Sequence, residues 1–157
     1  MGIEIERKFL VRDESWRSLA DDGRAIRQFY IAMDKDVSVR LRVADGRQAW
    51  LTIKTGAGLS RGEYEYPVPV ADAAGLEATR RGEVVAKRRF RVPHGELTVE
   101  IDVFEGALAP LVLAEIELPS EAHEIELPAF LDREVTGDGA YTNAALAAHG
   151  LPASFRG

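Results

Sequence analysis

Carboxylates recur at two-residue spacing in this chain, as Glu4 and Glu6, Glu63 and Glu65, Glu100 and Asp102, and Glu115 and Glu117. Cations recur in the same rhythm: Lys8, Arg40 and Arg42, Lys54, then Lys87, Arg89 and Arg91. Residues two apart on a β-strand share a face, so each group sets like charges side by side. Such crowding is unfavourable and calls for counter-ions from the fold or from a ligand. A polyphosphate with a divalent cation answers both halves of the set. Arginine offers forked contacts and lysine a point charge to phosphate oxygens. Carboxylates bind hard cations, and magnesium typically combines one or two of them with phosphate oxygens.

Strands must present these residues. In the first stretch Glu4, Glu6 and Lys8 face one way, and Ile3, Ile5 and Phe9 the other. A short helix is expected over residues 13–20, stopped by Asp22-Gly23. Residues 25–33 read as a strand with Gln28 and Tyr30 on one face and Phe29 and Ile31 on the other. Residues 37–43 set Val37, Val39, Leu41 and Val43 against Arg40 and Arg42, and Asp45-Gly46 is a hairpin turn into residues 48–54. A glycine-bearing loop over residues 55–59 leads to an alternating stretch over 61–66, ended by Pro67 and Pro69. A helix follows over residues 71–80, stopped near Gly82, and then a strand over 84–92. Pro93-His94-Gly95 turns the chain into residues 96–104, and residues 111–118 form the last clear strand. Beyond Pro119 the pattern is irregular until a C-terminal helix over residues 142–149, with Gly150 and Pro152 as stop signals.

About eight antiparallel strands with short turns favour a closed barrel or a strongly curved sheet over a βαβ fold. An eight-stranded barrel has room inside for side chains or one small ligand. The charged faces fit two arrangements: the wet outer faces of a sandwich, or the interior of a barrel. Their density and their sorting by sign, strand by strand, favour the interior. The apolar faces then point outward, where short helices cover part and a homodimer contact is expected to cover the rest.

Composition narrows the partners. The 157 residues make a single domain, 1–157, with 46% apolar and 29% charged residues and no disorder signature. A net charge of −6 and the lack of a basic stripe speak against nucleic acid. No apolar run reaches the length of a membrane span, and the N-terminus shows no signal-peptide pattern. The absence of cysteine excludes disulfides and thiolate chemistry and suits a reducing compartment, so a cytoplasmic location is expected. His94, His123 and His149 lack zinc spacing. The Gly56/Gly58/Gly62 loop is no P-loop, since Gly-Lys-Ser/Thr is missing.

The stretch Glu4-Ile5-Glu6-Arg7-Lys8-Phe9-Leu10-Val11 resembles the E-x-E-x-K signature of the triphosphate tunnel metalloenzymes, the CYTH superfamily. The resemblance continues through Arg40-Leu41-Arg42, Leu51-Thr52-Ile53-Lys54, Leu59 to Glu65 and Lys87-Arg88-Arg89-Phe90. It extends over Glu100 to Phe104, Ala114 to Leu118 and Val135-Thr136-Gly137-Asp138, then Tyr141 and Asn143, so it covers nearly the whole chain in matching order. It implies a mainly β, α+β domain: an eight-stranded antiparallel closed β-barrel with a few peripheral helices and a C-terminal helix. The activity it implies is metal-dependent hydrolysis of inorganic triphosphate to pyrophosphate and phosphate, with Mg2+ or Mn2+, as in the short bacterial inorganic triphosphatases. Carried over by position, Glu4, Glu6, Asp102, Glu115 and Glu117 would hold metal. Lys8, Arg40, Arg42, Lys54, Lys87 and Arg89 would bind substrate phosphates. Glu63, Glu65 and Arg61 fit either this site or internal salt bridges. The family often has a basic residue before the late tyrosine, where this chain has Ala140.

Lys54 with Tyr30 is the candidate pair for proton handling, because a lysine among other cations has a lowered pKa. The competing functions are a class IV adenylate cyclase, a thiamine triphosphatase, and a polyphosphate-binding module without turnover. The full set of acids argues against the last, since an anion binder has no use for them.

Overall fold

The computed structural model describes residues 2–56 and 59–156, so Ala57 and Gly58 of the expected glycine loop lie outside the described residues. Eight antiparallel strands form a closed barrel: β1 Gly2–Val11, β2 Arg24–Met33, β3 Val37–Ala44, β4 Gln48–Thr55, β5 Ser60–Val68, β6 Arg81–His94, β7 Leu97–Phe104 and β8 Val112–Glu117. The strand order is β5-β4-β3-β2-β6-β7-β8-β1, and β1 closes the ring by pairing with β5. The first strand is the seam. Its residues Glu6 to Leu10 pair with Leu113 to Glu117 on β8, while Gly2 to Ile5 pair with Ser60 to Glu63 on β5. Beyond β5, a ninth strand (β9, Leu131–Glu134) takes over that edge through Phe9 and Val11. The hairpin at Asp45-Gly46 has positive φ at both residues, as its sequence demands.

Among the described residues three α-helices decorate the barrel: α1 Val70–Leu76, α2 Asn143–His149 and α3 Ala153–Arg156. The helix expected over 71–80 ends at Leu76 and passes into a 3₁₀ turn, Glu77–Thr79. The segment expected over 13–20 is the 3₁₀ turn Ser15–Leu19. Gly82 does not stop a helix but sits inside β6 with φ +72, and an added Cβ would lie 2.6 Å from the Ala147 carbonyl oxygen of α2. Close approach of α2 to the sheet requires that glycine.

Most of the outward apolar faces are covered within the chain. Phe9, Val92, Val99, Ile101, Ala114 and Ile116 pack beneath Trp16, Leu118, Phe130 and Leu131. Phe29, Leu41 and Ala49 pack against Ala73 of α1. A third cluster, with Tyr30, Val85, Phe104, Leu111, Leu113, Tyr141 and Leu146, closes off part of the barrel beneath α2. The charged layer therefore does not run the full length of the inward face. Among the described residues, an outer strip is only partly covered. Half-buried Val39, Ile53 and Tyr64 align across β3, β4 and β5, flanked by Ile3 (72% exposed) and Tyr66 (51% exposed).

Candidate active site

The alternation that shapes β1 puts Glu4, Glu6 and Lys8 inside the barrel. In register they meet Arg61, Glu117 and Glu115. On the opposite wall Arg40 and Arg42 stand across from Thr52 and Trp50 on one side and Tyr30 and Gln28 on the other. Glu4, Glu6, Glu115 and Glu117 line one cavity of about 130 Å3 with Arg40, Arg42, Lys54 and Arg89. Glu63, Glu65, Glu100 and Asn143 complete its wall. Lys8 and Tyr30 line an adjoining hollow of about 40 Å3, which shares Glu6, Arg40, Lys54 and Asn143 with the first. A mouth of about 300 Å3, bordered by Asp34 to Ser38, Arg61 and Val135 to Gly139, shares Glu6 and Lys54 with both.

Lys87 and Asp102 border none of these spaces. Lys87 is fully buried, and its Nζ donates to Asp102 Oδ2 at 2.7 Å and Asn143 Oδ1 at 3.1 Å. Arg89 donates to both Asp102 oxygens, at 2.7 and 2.9 Å. Burial alone would raise the Asp102 carboxyl, but Arg89 and Lys87 outweigh it and hold the group at about 2. Burial pushes Lys87 down to about 7, with Asp102 pulling the other way. Asp102 and Lys87, expected to hold metal and phosphate, are engaged with each other behind Asn143, which lines the cavity. Period-two spacing gives the face of a residue but not its depth, and these two lie opposite Leu113, Ile26 and Phe104, against the apolar layer.

Arg40 and Arg42 have no carboxylate within ion-pair distance among the described residues. Arg40 is buried, its Nη2 donates to Thr52 Oγ1 at 3.2 Å, and its Nε has no partner. Arg42 Nε donates to Gln28 Oε1 at 2.8 Å. Burial, then the neighbouring Arg40 and Arg89, push Arg42 down to about 9. Two guanidiniums side by side without an acid form a site in need of an anion.

The acids show the opposite excess. Burial, then Glu115 and Glu4, push Glu6 up to about 8. Burial and a hydrogen bond to Glu4 push Glu63 up to about 7. Glu117 is raised as well, by burial and by Glu4 and Glu100. Glu115 runs the other way. Burial opposes its charge, yet Lys8, Arg89 and Lys87 hold it well below the usual carboxylate range. Protons shared between crowded carboxyls are what a divalent cation would replace, and the all-oxygen donor set fits a hard cation such as magnesium or manganese. Glu4, Glu6, Glu115 and Glu117 are the residues that would hold it.

Lys54 does not sit among cations as expected. Its Nζ lies 2.9 Å from Glu4 Oε1 and 3.6 Å from Glu63 Oε2. The reason is register: Lys54 faces Glu63 across β4 and β5. The sequence reading also missed Gln28, whose role of fixing Arg42 becomes visible only once β2 and β3 are paired. Asn143 was legible only as part of the late motif.

Residues 2–139 match the CYTH domain family. The chain belongs to that family. Among similar CYTH-family proteins is an inorganic triphosphatase from Acetivibrio thermocellus, 45% identical over 148 residues, covering 93% of this chain and 94% of that one. Another from Nitrosomonas europaea is 39% identical over 153 residues, covering 92% and 96%. The crystal structure of an inorganic triphosphatase superposes with a TM-score of 0.67 at 33% identity, covering 97% of this chain and 99% of the other.

Proposed function

We propose that this CYTH domain hydrolyses inorganic triphosphate to pyrophosphate and phosphate within the barrel, with bound Mg2+ or Mn2+. The observation that carries the reading is the Arg40–Arg42 wall, without an acid partner among the described residues, facing the clustered carboxylates Glu4, Glu6 and Glu63 across one small cavity. A linear polyanion with a cation on one side satisfies both walls at once. The cavity's own size suits an inorganic chain better than a nucleoside.

In this scheme Arg40, Arg42 and Arg89 bind phosphate oxygens and stabilise the charge that shifts as the terminal P–O bond breaks. A water oxygen bonds to the terminal phosphorus, and pyrophosphate leaves with the electron pair of the bridging bond. When bound, the divalent cation supplies charge neutralisation and polarises phosphate oxygens. Lys54, which borders all three spaces, and Tyr30, which lines the small hollow, would orient the attacking water, whose proton passes to an oxygen of the phosphate products. In Lys54→Ala, kcat is expected to fall more than KM rises. A rise in KM alone would leave Lys54 as a phosphate ligand only.

Tripolyphosphate, ATP and thiamine triphosphate presented in parallel test the reaction. Release is expected fastest from tripolyphosphate, with no cyclic AMP from ATP; cyclic AMP or a preference for thiamine triphosphate sinks the reading. Among the described residues no helix is long and apolar enough to cross a membrane; a cytoplasmic setting is part of the proposal. So is a homodimer through the strip around Ile3, Ile53, Tyr64 and Tyr66. Light scattering is expected to give twice the chain mass, and a monomer would exclude it.

A further inference from the structure

Arg61 stands across the barrel seam from the acids of β1. It pairs in register with Glu4, and its Nη2 lies 3.2 Å from Glu6 Oε1 and 3.7 Å from Glu4 Oε1. One guanidinium thus serves both E-x-E carboxylates, while Lys54 holds Glu4 from β4 at 2.9 Å. Among the described residues, no three acid or histidine side chains already converge as a ready metal site. The oxygen donors are in place but are engaged by the protein's own cations. Arg61 also borders the 300 Å3 mouth and the 40 Å3 hollow behind it, so its guanidinium has open volume to move into.

We propose that Arg61 is a resident counter-ion of Glu4 and Glu6, displaced when a divalent cation takes those carboxylates and then available to a phosphate at the mouth. This rests on the reading that Glu4 and Glu6 hold a divalent cation. The same lone pairs cannot serve the guanidinium and a dication a few ångströms apart, where like charges repel strongly. Loading of the cation and release of Arg61 are therefore one exchange. By linkage, a phosphate that holds Arg61 in its outward position favours cation loading, and loading favours phosphate. Arg61 is a positioning residue: it sets cation affinity in the empty barrel and couples it to substrate.

The test is Mn2+ binding to the substrate-free protein, read by the electron paramagnetic resonance of free Mn2+. Arg61→Gln is expected to bind Mn2+ about tenfold tighter than wild type, the order produced by removing one competing charge in a partly screened interior. Its KM for tripolyphosphate is expected to rise. Equal or weaker Mn2+ binding by a folded Arg61→Gln overturns the inference. If wild type binds no Mn2+ at all, the underlying reading of Glu4 and Glu6 fails first, and the inference with it. Should Arg61→Gln open the seam and fail to fold, the Nε–H nuclear resonance of Arg61 in the wild-type protein decides. It is expected to shift as Mg2+ is added, and a signal that stays put while Mg2+ binds overturns the inference.

Discussion

Arg40→Ala combined with Arg42→Ala is expected to lower kcat/KM for tripolyphosphate by about 10²–10⁴ while leaving the melting temperature unchanged or higher. Each guanidinium would make charge-assisted contacts to phosphate of about 1.5–3 kcal/mol, and the pair together supplies that range of rate. Stability behaves differently because neither arginine neutralises an acid among the described residues. Arg40 leaves its Nε without a partner, and the two repel each other. Removing them ends an uncompensated burial of charge. Steady-state kinetics beside a thermal melt check this. Activity within tenfold of wild type would contradict their role as the anion-binding wall, and a melting temperature that collapses with activity would give them a structural role instead.

Asp102→Asn produces the opposite pattern, a loss of fold first. Asp102 accepts from Lys87 and from Nε and Nη2 of Arg89 in a fully buried setting, and removal of the carboxylate strands the Arg89 guanidinium. Breaking such a pair costs about 3–5 kcal/mol, which chemical denaturation reads directly. The pH dependence follows from the same group. Its folded pKa of about 2 lies below the ordinary 3.8, so its contribution is complete above about pH 4 and lost as pH falls towards 2. That shift is worth roughly 2 kcal/mol. Wild type should lose this increment over that window, and Asp102→Asn should not. A variant as stable as wild type would refute the structural role and return Asp102 to the cavity surface.

The barrel was legible because its signal is local and repeated. Strict alternation in residues 37–43 and 48–54, joined by Asp45-Gly46, leaves little choice of strand, face or turn. β9 was not legible, since Asp132-Arg133-Glu134 carries no alternation and exists as a strand only because β1 offers it an edge. Gly82 was misread because positive-φ glycine ends helices and also lets a strand meet a helix closely; the sequence does not distinguish the two. The candidate site divides along the same line. Spacing puts Glu4, Glu6 and Lys8 on one face and Arg40 and Arg42 on another, while the inward direction of those faces rested on their charge density and sorting by sign. The depth of Lys87 and Asp102, the acids around Lys54 and the hold of Gln28 on Arg42 depend on which strand lies beside which, and at what register.

Phosphate release from tripolyphosphate with Mg2+, with Mn2+ and with EDTA, in wild type and Glu4→Gln, tests the central claim most directly. Fast release that needs the divalent cation and is lost in a folded Glu4→Gln is the predicted result. Undiminished release in EDTA, or a Glu4→Gln as active as wild type, would contradict the account of β1 as the cation-holding wall of a triphosphate site.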